Sequence, residues 1–231
     1  MNDNESRLDR RAVVTGVGLA AAGLAATAAN AQRAGSSATT DFRPARHETD
    51  AWFDALPGSH RIFIDSSTPD GGASAMLYAN NLYVQQESAY YGGSPTDLAL
   101  VVCFRRGSTA FGYSDAVWSK YGEIFGSVMQ ITDTETHAAP RINPVATAGR
   151  SGLSNRNVTV GALRANGAQF AICMVATRNM ARRIAEATGG QADVILDELF
   201  AGAIENGRFV PAGVVAATRA QEYRYSLLYA G

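Results

Sequence analysis

A chain of 231 residues that is 46% apolar is long enough for one domain with a substantial core. Its formal charge of −1, with no basic block, removes the electrostatic case for nucleic acid or an anionic membrane surface. Two cysteines exclude a disulfide scaffold, and three histidines without i+3 or i+4 partners give no metal-ligand spacing, so no metal is expected.

The first element is a signal. Leu8-Asp9-Arg10-Arg11-Ala12-Val13-Val14 fits the twin-arginine pattern of two arginines, any residue and two apolar ones. From Ala12 to Gln32 there is no Asp, Glu, Lys or Arg, and Ala29-Asn30-Ala31 offers a small-residue cleavage site. The stretch is Ala- and Gly-rich, too weakly hydrophobic for a retained anchor of ~20 strongly apolar residues. Export by the twin-arginine route, cleavage after Ala31 and a periplasmic destination are expected. The mature chain keeps its net charge of −1, because the signal carries three residues of each sign. Residues 32–46 read as a flexible leader and 47–231 as the domain.

Along that domain, Glu48 to Leu56 has helical spacing and stops at Pro57-Gly58. Arg61–Asp65 is the first strand, Ser66 to Gly72 a turn, and Ala73–Tyr90 a helix. Leu98–Phe104 is continuously apolar, the pattern of a central parallel strand buried on both faces. Ala110–Phe125 reads as an aromatic-rich helix. Val128 to Asn157 lacks periodicity, and a loop of that length is uncommon unless it is a lid or disordered. Val158–Asn166 is a short helix, Ala168–Cys173 the third strand, and Ala176–Thr188 and Gln191–Ile204 are helices. Phe209-Val210-Pro211 is extended, Val214–Glu222 a helix, and Tyr225–Tyr229 the last strand. Strands alternating with helices predict a three-layer α/β/α sandwich on a five-stranded, mostly parallel sheet.

In such a sheet, ligands bind beyond the carboxyl ends of the strands. Cys173 falls there, before a helix whose amides and dipole favour a thiolate, with Arg178 in the expected first turn as a stabilising charge. The alternative is a small buried hydrophobe, since free Cys is among the most buried residue types. Cys103, inside an apolar strand, reads as core. Ser66, Ser67, Thr68, Gly71 and Gly72 offer hydroxyls and backbone amides that suit a small anion. They loosely resemble a flavodoxin phosphate loop, which would make flavin mononucleotide the ligand; capping and turn chemistry account for the same residues, and no cofactor is expected. Arg105, Arg106 and Arg219 would add positive charge at the same edge. Glu123, Asp133 and Glu135 have nothing to orient them as acid and base, and no conventional enzyme is expected. Tyr90, Tyr91, Phe111, Tyr113 and Trp118 are candidates for an oligomer or ligand interface.

The order of these pieces carries a resemblance. Gly167-Ala168-Gln169-Phe170-Ala171-Ile172-Cys173 leads a strand into a cysteine and then a helix. Together with the first strand and its Ser/Gly turn, and Val210-Pro211-Ala212-Gly213-Val214 before the last strand, it resembles the DsrE/DsrF-like sulfur-relay family. The likeness runs from about Arg61 to Gly231, and Trp52 to Gly58 is similar to a leading segment of exported members. It implies a five-stranded sandwich that oligomerises, with Cys173 at the position that carries persulfide sulfur for a transfer partner. The insert at 128–157 and the export signal depart from the cytoplasmic sulfur carriers. Two functions of different class follow: sulfur or thiol relay at Cys173, or a non-catalytic oligomeric binding module of the periplasm.

Overall fold

The computed structural model describes residues 43–149 and 152–231. Arg10, Arg11, Ala29, Ala31 and residues 32–42 of the leader lie outside the described residues. Residues 46–231 form one unit.

Five strands build one sheet: β1 (His60–Ser66), β2 (Leu98–Phe104), β3 (Gln169–Cys173), β4 (Gly207–Val210) and β5 (Ser226–Tyr229). Their order is β4-β3-β2-β1-β5, and all four pairings are parallel. The expected α/β/α sandwich is present, and its sheet is wholly parallel. All seven residues of β2 are buried, which is why the central strand reads as an unbroken apolar run. Each large aliphatic or aromatic side chain buried there contributes roughly 1.5–3 kcal/mol.

The two sheet faces are covered unequally. The chain steps β1, β2, β3, β4 in one direction and carries α2 (Pro69–Gln86), α3 (Asp115–Met129), α4 (Val160–Ala165), α5 (Met174–Thr188) and α6 (Ala192–Ala201) on one face. Met76, Trp118, Phe125, Leu163, Ile184 and Leu199 pack there against Ile64, Leu100, Val102 and Phe170. From β4 the chain returns across the whole sheet to β5, and α7 (Gly213–Glu222) spans the other face with the short α1 (Trp52–Ala55). Ala216, Ala217 and Ala220 let α7 lie close on Phe63, Val101, Cys103 and Ala171.

Several boundaries differ from expectation for identifiable reasons. The predicted turn through Gly72 ends at Thr68: Pro69 takes the first helical position, and the Thr68 hydroxyl accepts from Gly71 N at 2.9 Å, so Asp70, Gly71 and Gly72 open α2. The predicted helix Ala110–Phe125 is broken at Tyr113 and Ser114, which are extended; Arg106–Gly112 is a 3₁₀ segment, and α3 follows. The helix after β3 begins at Met174, not Ala176, and Cys173 is its N-cap residue. The 128–157 segment is neither lid nor free loop where it is described. Its first residues, through Met129, complete α3, and Asn143, fully buried, donates to Phe111 O and Tyr113 O at 2.8 Å. Val145 is in the core, and Val160 N donates to Val145 O at 2.9 Å, so the segment forms a wall between α3 and α4. Phe111, Tyr113 and Trp118 are buried too, with Trp118 Nε1 donating to Ala110 O; of the five proposed interface aromatics only Tyr90 and Tyr91 are exposed.

Candidate functional site

The parallel sheet brings Cys173, Arg105 and residues 66–72 to its carboxyl edge, because β1, β2 and β3 end there in the same register. Asp65 pairs with Cys103 and Cys103 with Ala171; one step beyond the paired residues, Cys173 is level with Arg105.

The serine turn is satisfied from within. Ser66 Oγ, fully buried, donates to Cys103 O at 2.7 Å and lies 2.9 Å from Ser108 Oγ. Ser108 in turn accepts from Arg105 N at 3.1 Å. Ser67 Oγ meets Tyr229 Oη at 2.8 Å, and Ser67 N and Oγ both donate to Gly231 O, at 2.8 and 3.0 Å. Gly71 faces the backbone of Ala230 and Gly231 so closely that a Cβ there has no room, and a Cβ on Gly72 would lie 2.6 Å from the Phe111 ring. The five residues expected to cradle an anion therefore hold together the end of β5, the start of α2 and the segment after β2.

One pair that sequence reading missed dominates this edge electrostatically. Arg105 clasps Asp65 with two parallel bonds, Nε to Oδ1 at 2.8 Å and an Nη to Oδ2 at 2.7 Å. Asp65 is buried, and the hydrogen bonds that Arg105 donates to its carboxylate raise the Arg105 pKa above its ordinary value. The only sequence signal was an aspartate near the end of one apolar strand and an arginine directly after the next, two residues past the register partner of that aspartate. Arg105 is thus committed to a carboxylate rather than offered to a ligand. Arg219, expected at the same edge, lies toward the opposite end of α7 and bonds Glu222 at 2.9 and 3.0 Å, with Asp50 3.9 Å away.

Cys173 sits where predicted, at the end of β3 and the start of the fifteen-residue α5. It is only 6% exposed, and both it and Cys103 are free thiols. Arg178 does not join it: the true helix start places Arg178 in the second turn, exposed, while Thr177 Oγ1 takes the position at Cys173 and donates to its carbonyl at 3.0 Å. Tyr113 Oη donates to that same Thr177 at 2.9 Å. The thiol of Cys103 is pushed well above its ordinary pKa by complete burial first, and then by the charge of Asp65. Gly213 at the start of α7 stands against it, with room for a Cβ only 3.1 Å from Cys103 Sγ and 2.7 Å from Arg105 Cβ. Helix α7 thus caps this edge from the other side. Glu123 is bonded to Arg141, and Asp133 accepts from the amides of Glu135 and Thr136, so these acids shape the loop and α3.

An open surface lies at the opposite edge. A groove of about 780 Å³ runs between α2 and the β1–β5 ladder, floored by Ile62, Leu82, Leu98 and Leu228 and flanked by Tyr78 and Tyr91. It adjoins a second, polar hollow of about 420 Å³ through the shared Ser59, Arg61 and Arg224. Among the described residues no group of three or more His, Cys, Asp or Glu is placed to hold a metal, and no helix is long and apolar enough to cross a membrane.

The fold defines the class: a three-layer α/β/α protein on a five-stranded parallel sheet. No family model matches the chain, and no curated protein or solved structure is significantly similar to it, so the DsrE/DsrF-like resemblance rests on the residues that suggested it.

Proposed function

We propose that this is an exported, non-catalytic binding and assembly module of DsrE/DsrF-like type, working through the groove beside β5. The observation that carries the reading is the contrast between the two edges. At the carboxyl edge the polar side chains of Asp65, Ser66, Ser67, Arg105 and Ser108 are bonded to one another or to the chain's own backbone. At the amino edge an apolar groove stands open, and the exposed side chains of β5 lie beside it. Thus Cys173→Ser is expected to leave the oligomeric state and any ligand binding unchanged. A multimer that dissociates in that variant refutes the reading.

A second reading, sulfur or thiol relay to a partner protein at Cys173, is favoured by one observation: the residue ends β3 at the carboxyl edge of the sheet and is the N-cap of a fifteen-residue helix. The alkylation rate of Cys173 against pH, with mass spectrometry after polysulfide exposure, separates the two. A thiol that stays inert at neutral pH and takes no sulfane adduct removes the relay. Export is tested separately: replacing Arg10 and Arg11 with Lys is expected to trap the full-length precursor in the cytoplasm. Normal periplasmic accumulation of that variant disproves the twin-arginine route.

A further inference from the structure

The two edges of the sheet are finished differently. At β4, Arg208 places a charge on the strand and stands over the Trp52 ring at 5.3 Å, while Phe209 packs edge-on against Phe200 at 4.8 Å. Charge and side-chain cover of this kind blunt an edge against further pairing. At β5 no charge lies on the strand, and cover is confined to its last residue, Tyr229, whose ring has Arg105 over it at 6.0 Å and whose hydroxyl meets Ser67. The strand Ser226-Leu227-Leu228-Tyr229 carries no charge; both leucines are 40% exposed and Tyr229 is 60% exposed. It pairs with β1 on one side, and among the described residues nothing pairs with the other.

Opposite charges without partners stand at the two ends of that strand. Arg224 precedes β5 and is exposed; Asp70, also exposed, opens α2 beside Ala230 and Gly231, which follow β5. Among the described residues neither side chain has an ionic or hydrogen-bonding partner. The backbone at Arg224 sharpens the point. It is left-handed, φ 68°, at the position after the α7 C-cap where glycine is the usual choice. Arg224 N donates to Gln221 O and Tyr225 N to Ala220 O, the two bonds of a Schellman end, so the strained residue is held there by its neighbours. An arginine in that conformation costs on the order of 1 kcal/mol relative to glycine, and it places a guanidinium at the mouth of the groove.

We propose that β5 pairs antiparallel with β5 of a second copy about a two-fold axis perpendicular to the sheet, near Leu227 and Leu228, to make a continuous ten-stranded sheet. Antiparallel pairing runs each strand's start past the other's end, which directs Arg224 of each copy toward Asp70 of its partner. The surface is self-complementary, as a two-fold interface requires. Side chains alternate across the strand, so Ser226 and Leu228 face α2 and the groove, while Leu227 and Tyr229 face the side of α7. Leu228 of both copies then lies near the axis, so the two grooves approach each other at their Leu228 ends while their Arg224 mouths lie at opposite ends of the joined strands. A net charge of −1 offers little repulsion to the approach.

This inference rests on the reading of the chain as an assembling module, and the test separates the two. Sedimentation velocity of the purified full-length chain from low to high micromolar concentration is expected to show a monomer–dimer equilibrium. Leu228→Lys, at an exposed position and with a charge that blocks edge pairing, is expected to weaken dimerisation at least tenfold, while circular dichroism stays unchanged and so does the Tm taken at a concentration where both proteins are monomeric. Should Leu228→Lys fail to fold, the surface charges carry the test. Arg224→Asp and Asp70→Arg should each weaken the dimer several-fold at low salt, and the double swap should restore it. A dimer indifferent to Leu228→Lys, or single swaps that the double does not rescue, overturns the β5 interface and leaves an assembling module standing. A chain that is monomeric at every concentration overturns both.

Discussion

Removing the Arg105 side chain is the sharpest test of whether the carboxyl edge is a lock. Arg105→Met keeps most of the stem and deletes the guanidinium, leaving the buried Asp65 carboxylate without its two charge-assisted bonds of 2.8 and 2.7 Å. Such bonds contribute about 1.5–3 kcal/mol each, and breaking a buried pair from one side costs about 3–5 kcal/mol. The arginine keeps 19% of its side chain exposed against 8% for Asp65, so water offsets part of the loss. A cost of about 3 kcal/mol is the expected outcome, and for a chain of this length that lowers Tm by roughly 6–12 °C. Asp65→Asn, which leaves the better-solvated partner, should cost about half as much. The double variant should cost less than the sum of the two by about 2 kcal/mol, because the second change removes a charge already orphaned. Urea unfolding at pH 7 of all four proteins gives the cycle. An Arg105→Met cost below about 1 kcal/mol, or additivity within about 0.5 kcal/mol, refutes the lock and returns Arg105 to service as an anion-binding residue.

Two further outcomes follow from the packing. The Cys103 thiol stays protonated in the folded protein well above its ordinary range, whereas in the unfolded chain it ionises near pH 8.5, so above that pH the unfolded state holds fewer protons and stability falls with rising pH. The expected contribution is a loss of about 1.4 kcal/mol per pH unit between roughly pH 9 and 10, absent from Cys103→Ala; equal slopes for the two proteins in urea unfolding contradict it. Gly122→Ala in the middle of α3 would ordinarily gain about 1 kcal/mol of helix propensity. Here the added methyl lies on Pro140 O, and a net loss of about 1–3 kcal/mol is expected, with faster proteolysis of the 130–159 segment. A stabilised, protease-resistant variant would show that the segment yields freely.

The sheet was legible because burial on both faces leaves an unmistakable trace: Leu98–Phe104 admits no polar residue, and no helix-period reading fits it. Alternation of such runs with helical spacing led directly to the layers. Less visible were contacts made by polar residues of ordinary composition. Ser66, Ser67 and Gly71 have the chemistry of an anion cradle, and only the return of the chain from β5 shows that its own backbone fills the place. Arg178 was misplaced because a helix start two residues earlier moves a side chain half a turn around the axis, from the thiol to solvent. Tyr113 and Trp118 read as surface aromatics, since nothing local reveals that a segment thirty residues further on, at Asn143 and Val145, will cover them.

The route of the chain also sets a schedule for its synthesis. Among the described residues, those up to Val210 contain four of the five strands and every helix of one face, so that half of the sandwich has all its parts before α7 is made. The other face, with Phe63, Val101, Cys103, Ala171 and Val210, stays bare but for α1 until α7 emerges. Strand β5 then has to reach β1, a partner made more than 160 residues earlier, as in the pairing of Ile62 with Ser226. Contacts of that sequence separation form late. The nascent protein therefore passes through a stage with one finished side and one adhesive one, which ends when α7 docks and β5 pairs with β1.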